Sequence, residues 1–561
     1  MNNQTSVSEL SLSGLPLSEL PLSELPLSEL PFSEQKLIEL NAEDGFTSLV
    51  DGFNRACEKF PERPAFTCLG QTLCFSEIEQ LSRQFGCYLL EHCGLVAGDR
   101  VAVQLPNISQ FPIAVWGILR AGLVVVNTNP MYTAREQLHQ FNDSGAKALV
   151  VLSDLLPVTE QVIPQTGVET VIATSAIDLL QPQPLPASSL TNLVSFTDAL
   201  ALGADKLLPE RTSSMSEVAV LQYTGGTTGP SKGAILTHGN IFGGVRMSKL
   251  SVDFSDEAVP DLLIAPMPLY HVFGFTMNVV SSFLGGSHSV LIPNARDIDS
   301  MVTTMKQHQL TTMAGITTLL QGLMRHPQFD EIDFSRLKGI IVGGAALVKE
   351  VGDEWETRTG APVFEGYGLS ETTAVLTCNG PDKSRVGTVG LPMLYQEVKL
   401  IDAQGNAVAT GERGEVCCRG AHVMQGYWNR PDATAEALDG DGWFRTGDIG
   451  VMAEDGMLTI VDRLKDMVIV SGFNVYPNEI EDVAYGHGDI IECAVVGVAD
   501  ERTGEAVKLF VVSTNPDLSE QQVKDFCREQ LTAYKVPKHV VFMDELPKSP
   551  VGKILRRELR D

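Results

Sequence analysis

The chain has 561 residues, 43% of them hydrophobic and 20% charged, enough for several compact units of ordinary soluble composition. A formal net charge of −29 repels polyanions at long range, which excludes nucleic acid as a dominant partner and disfavours gripping an anionic lipid surface. Ten cysteines occur without a C-x-x-C pair, which excludes a zinc clamp and fits a reduced, cytoplasmic setting.

Residues 15–34 repeat Leu-Pro-Leu-Ser-Glu three times and close with Leu-Pro-Phe-Ser-Glu. Proline at every fifth position blocks a regular helix, so residues 1–40 are expected to form a disordered acidic tail. Its evenly spaced leucines leave open a docking role on a partner or a membrane. The opening residues lack the basic and apolar regions of a secretory signal. Phe111 to Val126 is short, carries Arg120, and reads as a buried helix running into a strand rather than a membrane span.

From Phe46 onward amphipathic stretches alternate with β-branched runs. Ile78–Leu90 and Ser109–Arg120 read as helices, and Arg100–Leu105, Leu123–Val126 and Ala148–Leu152 as strands. Such alternation predicts parallel sheets covered by helices, an α/β fold. Residues 181–189 read as a proline-rich surface connection.

The segment Tyr223-Thr-Gly-Gly-Thr-Thr-Gly-Pro-Ser-Lys-Gly-Ala234 follows an apolar run. Gly225, Gly226 and Gly229 free the backbone to turn its N–H groups inward. Thr224, Thr227 and Thr228 offer hydroxyls, and Lys232 a compact charge, which together suit the phosphates of a nucleotide. It is not the G-x-x-x-x-G-K-[ST] loop: Ser231 precedes Lys232, and Gly233 stands where a metal-binding hydroxyl would be required.

Gly339-Ile-Ile-Val-Gly-Gly-Ala345 reads as a buried strand ending in a glycine turn, and in open α/β sheets ligands sit at such strand ends. Residues around Glu415–Arg419 predict a smaller β-rich unit. Beyond Asp462-Arg-Leu-Lys465 the composition changes to short strands and helices, with Ser519-Glu-Gln-Gln522 as a helix capping box. Residues 41–464 and 465–561 are therefore expected to be separate domains with a hinge at Lys465. The closing Lys553–Arg560 run is basic, either a local patch or a solvated helix end.

Four segments in order resemble the signatures of the adenylate-forming enzymes, the superfamily of acyl-CoA synthetases, luciferases and peptide-synthetase adenylation domains. They are Tyr223–Ala234, Glu365-Gly-Tyr-Gly-Leu-Ser-Glu-Thr372, Trp443-Phe-Arg-Thr-Gly-Asp448 and Pro547-Lys-Ser-Pro-Val-Gly-Lys-Ile554. The resemblance runs from about Phe46 to the C-terminus. It implies a large N-terminal domain of helix-flanked sheets with a β-rich subdomain, joined by the Lys465 hinge to a small mobile α+β domain. ATP, Mg2+ and coenzyme A are the implied cofactor and co-substrates.

The resemblance also assigns roles. Thr224 and Glu371 would meet magnesium, a hard cation that prefers oxygen ligands. Tyr223, Thr224, Gly225, Gly226, Thr227, Thr228, Gly229 and Lys232 would surround the phosphates. Gly343, Gly344, Ala345, Glu365, Gly366, Tyr367, Gly368 and Ser370 would form the adenine wall, Ser370 replacing the family's usual threonine. Asp448 and Arg463 would hold the ribose, Lys553 the transition state of adenylation, and Gly472 the path of the incoming thiol. Taken alone, Glu371 reads first as a surface glutamate at a helix start, and a core tyrosine is the competing reading of Tyr367.

Met267-Pro-Leu-Tyr-His-Val-Phe-Gly-Phe275 is similar to the end of the acyl pocket in fatty acyl-CoA synthetases. That likeness puts His271 near the substrate carboxylate, Phe275 in the place of an aromatic gate, and Gly344 and Gly368 beside the acyl group. No aspartate for a substrate ammonium stands between Ala265 and Phe283. The whole pattern looks most like bacterial long-chain fatty acid–CoA ligases. An aryl or cinnamate-type ligase and a non-catalytic nucleotide- or lipid-binding protein are the alternatives. Homodimerisation and peripheral inner-membrane association are further expectations from the family.

Overall fold

The computed structural model describes residues 30–209, 211–224, 230–252, 259–344, 347–381, 383–471, 473–500, 502–549 and 552–560. Four sheets organise them. The first has seven strands in the order Leu193–Ser195, Thr170–Thr174, Ala146–Leu152, Arg100–Gln104, Val124–Asn127, Val218–Thr224 and Lys232–Thr237. All its pairs are parallel until the last, an antiparallel hairpin of Val218–Thr224 with Lys232–Thr237. Strand stretches such as Val124–Asn127 are buried at every residue, as a sheet covered on both faces requires.

The second sheet has nine strands. Its parallel centre runs Val363–Tyr367, Gly339–Val342, Thr312–Gly315, Leu262–Ala265, His288–Leu291 and Pro64–Cys68, with antiparallel strands at both ends. The helix Gln110–Arg120, with ten buried residues, lies in a core shared by both sheets, where Trp116 and Phe53 pack 4.8 Å apart. A four-stranded antiparallel sheet, Gln396–Ile401, Arg413–Gly420, Phe444–Met452 and Leu458–Arg463, forms the expected β-rich subdomain. Beyond it, five strands and the helices Pro477–Tyr485 and Glu520–Gln530 form a small α+β unit with its own core around Val495, Leu509 and Val523. Ser519 caps Glu520–Gln530, and Gln522 closes the capping box, as its sequence predicts.

One expectation is corrected. Residues 32–40, assigned to a disordered tail, form the helix Phe32–Leu40. Pro31 is the last proline of the repeats, and the nine residues after it are free to wind and to bury Leu40 beside Met247 and Phe364. Arg419 lies 4.3 Å over the Phe32 ring. The repeats before Leu30 lie outside the described residues. All ten cysteines are unpaired. Among the described residues no helix is long and apolar enough to cross a membrane.

Candidate active site

Two paired strands flank the glycine-rich segment, and Thr224 stands opposite Lys232. Gly225, Gly226, Thr227, Thr228 and Gly229 lie outside the described residues, as do Ala345 and Gly472. Strand alternation separates the side chains of Tyr223 and Thr224 onto opposite faces. Tyr223 is therefore spent on anchoring: its ring is buried and its hydroxyl donates to Asp143 Oδ2 at 2.8 Å. Arg430 pairs with Asp143 Oδ1 at 2.5 Å, and Trp428 Nε1 donates to the Asp143 carbonyl at 3.1 Å. The Tyr223 side chain thus ties the hairpin to the next layer.

At the end of strand Val363–Tyr367 the chain makes a tight turn through Ser370–Thr372, then runs through two non-glycine residues with positive φ, Thr373 at 51° and Ala374 at 84°. Such backbone is costly and concentrates at functional sites. The Thr373 hydroxyl donates to the His422 carbonyl at 2.7 Å, and the Ala374 N–H to the Leu369 carbonyl at 3.0 Å, which hold the turn. Gly368 is explained here by packing: a Cβ on it would sit 2.0 Å from the Ala374 carbonyl oxygen. Its expected contact with nucleotide and acyl group therefore has a backbone reason beside it.

This turn buries Glu371, 8% exposed. Among the described residues its one side-chain donor is the Tyr427 hydroxyl, 2.7 Å from Oε1. Burial raises the Glu371 carboxyl above its ordinary range, and the phenol and Arg463 only partly oppose this. A half-satisfied buried carboxylate fits a divalent cation, which would stabilise its charged form. Among the described residues, Thr224 Oγ1 makes one long contact, 3.5 Å from the Lys232 carbonyl, which suits a hydroxyl offered to a cation. Lys232 Nζ lies 5.0 Å over the Tyr427 ring.

Gly344 has φ 82°, and among the described residues nothing lies within 4 Å of where its Cβ would be. A Cβ on Gly343 would stand 3.2 Å from the Gly366 carbonyl oxygen and 3.7 Å from the Phe273 ring, so the two glycines bring adjacent strands close. Tyr367 donates to Asp448 Oδ2 at 2.6 Å, and Arg463 Nε lies 3.4 Å from Asp448 Oδ1, the two residues facing each other across paired strands. Burial and then the Asp448 charge push the Tyr367 phenol well up, so it remains a donor. Glu365 accepts from the Leu347 N–H at 3.0 Å, and burial raises it to about 7.

His271 caps the turn Val272–Gly274, its Nδ1 accepting from the Phe273 N–H at 3.3 Å. Burial, reinforced by Lys553, lowers it to about 4, so it is neutral near pH 7. Phe275 is sealed in the core at 1% exposure and opens a π-helix, Phe275–Ser281. The wide turn of a π-helix is rare and frequent at functional sites.

Lys553 arrives from the far end of the chain. Its loop is closed by Ser549, whose N–H donates to the Lys553 carbonyl at 2.7 Å and whose hydroxyl accepts from the Lys553 N–H at 3.1 Å. Gly552 has φ 74°, and a Cβ there would stand 2.5 Å from Ile316 Cδ1, so the loop rests on the nine-stranded sheet's domain. Burial first, then Arg463, lowers the Lys553 ammonium to about 8, with Asp448 opposing. Lys553 thus stands within electrostatic reach of both Asp448 and His271.

Lys465 is exposed at the junction, and the residues around it are heavily paired. Buried Asp466 takes Arg560 at 2.6 Å and Arg556 at 3.7 Å. Arg556 also reaches Glu481 at 2.7 Å and Asn478 Oδ1 at 2.8 Å, and the Asn478 N–H donates to Asp462 Oδ2 at 2.8 Å. Asp143, Tyr427, Asp466, Glu481 and Arg556 were not singled out from sequence. Only Gly426 before Tyr427, with φ 140°, leaves a local trace of a constrained turn.

Comparison with known proteins agrees with this geometry. The family model described as AMP-binding enzyme matches residues 53–428, and that described as AMP-binding enzyme C-terminal domain matches residues 479–553. A long-chain-fatty-acid–CoA ligase of Salmonella typhimurium is 44% identical over 533 residues, covering 92% of this chain and 95% of that protein. A feruloyl-CoA synthase of an Amycolatopsis species is 34% identical, covering 84% and 90%. Among solved structures, ATP-bound MatB from Rhodopseudomonas palustris superposes with a TM-score of 0.81 at 29% identity, covering 91% of this chain and 98% of that one.

Proposed function

The chain belongs to the AMP-binding enzyme family, and on that premise we propose that it is a long-chain fatty acid–CoA ligase. It activates a medium- or long-chain fatty acid with ATP to acyl-AMP and pyrophosphate, then transfers the acyl group to coenzyme A with release of AMP. The observation that carries this reading is the position of Lys553, within electrostatic reach of His271, Asp448 and Arg463.

A carboxylate oxygen attacks the α-phosphorus of ATP, and the bond to the bridging oxygen breaks as pyrophosphate departs. Such a step depends on positioning and charge neutralisation. Lys553 stabilises the charge that develops between carboxylate and α-phosphate. Lys232 and the hairpin turn take the outer phosphates. Asp448 accepts from the ribose hydroxyls, with Arg463 beside it, and Gly344 leaves room for the base. Neutral His271 lies at the carboxylate end of the acyl site without adding a competing charge. Glu371 and Thr224 would hold magnesium, which would supply neutralisation of the triphosphate's charge.

For the second half-reaction the thiol sulfur attacks the acyl carbonyl and AMP leaves. The unit from residue 465 turns about Lys465, which withdraws Lys553 and brings Gly472 past the acyl-AMP. The N-terminal unit, residues 41–464, keeps the nucleotide throughout. Cytoplasmic placement, peripheral contact with the inner membrane and a homodimer belong to the same reading. The feruloyl-CoA synthase relative favours one second reading, an aryl-acid substrate for the same chemistry.

The test measures pyrophosphate and AMP release with palmitate, octanoate and coumarate, with and without coenzyme A. Palmitate-dependent AMP with palmitoyl-CoA as product supports the proposal. AMP release with coumarate alone would transfer it to the second reading, and no AMP with any acid would end both.

A further inference from the structure

We propose that Tyr427 is a positioning residue that sets the carboxylate of Glu371 and the ammonium of Lys232 as one unit for the metal–triphosphate. The inference rests on the function proposed above and deepens it.

The backbone of Met424–Trp428 is knitted to the hairpin strand beside it. Ile235 donates to the Gly426 carbonyl at 2.9 Å, Gln425 to the Ile235 carbonyl at 3.0 Å and Trp428 to the Gly233 carbonyl at 2.8 Å. On its other side the Met424 N–H donates to the Glu371 carbonyl at 2.8 Å. The segment thus splices the phosphate hairpin to the metal turn through main-chain bonds. Gly426 is required at the splice, because a Cβ there would meet Thr434 Cγ2 at 2.6 Å, while the Thr434 hydroxyl accepts from the Tyr427 N–H at 2.9 Å.

The Tyr427 side chain then reaches both functional groups. Its hydroxyl donates to Glu371 Oε1 at 2.7 Å, and its ring face lies under Lys232 Nζ at 5.0 Å. A carboxylate torsion is broad and nearly two-fold when nothing restrains it. Holding Oε1 leaves Oε2 as the oxygen turned to a cation, and groups that orient a metal ligand in this way typically change metal affinity about 10- to 100-fold when removed. The ring attracts the ammonium through its negative face without consuming its three donors, so Lys232 is held near the hairpin turn and remains free to take phosphate oxygens.

The experiment titrates manganese(II), by its electron paramagnetic signal, into the protein with the β,γ-methylene analogue of ATP. It also measures thioester formation from supplied acyl-AMP, a half-reaction that uses neither metal nor triphosphate. Tyr427→Phe keeps the ring and removes the donor. It is expected to weaken manganese binding about 10-fold or more, with thioester formation within about twofold of the unaltered enzyme, which also shows that the variant folds. Tyr427→Leu is expected to weaken analogue binding further, because the ring under Lys232 is gone. In the Glu371→Gln background, adding Tyr427→Phe should change manganese binding no further. Unchanged manganese binding in Tyr427→Phe, or equal losses in both measurements, overturns the proposal. Failure of the unaltered protein to bind the manganese–analogue complex would instead overturn the functional reading, and this inference with it.

Discussion

Two buried carboxylates show how the cleft differs from the joint that serves it. Glu371 meets a neutral phenol, and its proton affinity rises above the ordinary carboxylate range. Asp466, 3% exposed, meets two arginines, Arg556 and Arg560. Burying a charge is expensive unless it is paired, so the first arrangement is under-compensated and the second is closed. The difference teaches where a ligand belongs: a site keeps a deficit for an incoming cation to fill, whereas a joint fills its own. The buried, neutral His271 and the depressed Lys553 fall on the site side of that division.

The largest effect should come from taking the joint's cargo away. Lys553→Ala is expected to slow acyl-AMP formation about a hundred- to a thousandfold, the scale of a lost electrostatic stabiliser. Thioester formation from supplied acyl-AMP should stay within about threefold. Rapid-quench assays of the two half-reactions separate them, and equal loss in both would break the division between site and joint.

Next, Arg556→Met opens the joint itself. It leaves Glu481 without its arginine and Asp466 with Arg560 alone, at a cost of about 3 kcal/mol for a broken buried pair. The melting transition of the C-terminal unit should fall, and adenylation should drop by more than thioester formation, because the Lys553 loop is anchored three residues away. An unchanged melt would show that this joint is not held by its charges.

A milder probe is pH. Lys553 at about 8 is charged below that value and neutral above it. Adenylation should therefore decline about tenfold per unit on the alkaline side of pH 8, while thioester formation from acyl-AMP should not share that limb. His271, neutral above about pH 4, should contribute no limb near neutrality. Lys553→Arg should move the alkaline limb upward, even with a lower plateau.

The smallest effect is expected at the hairpin's anchor. Tyr223→Phe removes one hydrogen bond to a carboxylate, worth about 1.5–3 kcal/mol, and leaves Arg430 on Asp143. Stability should fall by that amount in denaturant melts, with the KM for ATP rising only a few-fold. A large loss of adenylation rate with unchanged stability would place Tyr223 in the site rather than behind it.

Much of the fold is local and therefore legible. The strand at Arg100 was expected to end at Leu105 and ends at Gln104, and the helix expected over Ser109–Arg120 starts at Gln110. Period and caps carry such elements without long-range help. The helix Phe32–Leu40 was missed because a proline repeat dominates its surroundings, and what rewards winding there is burial of Leu40 against residues hundreds of positions away. Tyr223 drew notice only from its place in a motif, and the anchoring bond of its hydroxyl to Asp143 became visible only in the fold. Tyr427 could not be found at all, since a tyrosine after a glycine has no chemistry until Glu371 and Lys232 stand on either side of it.

The sequence by itself determined the order of helices and strands, the glycine positions of the turns and the residue types offered to phosphate, metal and ribose. Periodicity, sterics and hydrogen-bond capacity act over a few residues, which is why these features could be read directly. Tertiary structure alone decided which carboxylate is left short of partners and which is fully paired, and that a lysine from the last ten residues loses water beside a histidine near the chain's middle. Desolvation and charge pairing depend on what the whole fold brings together, and no local pattern encodes them.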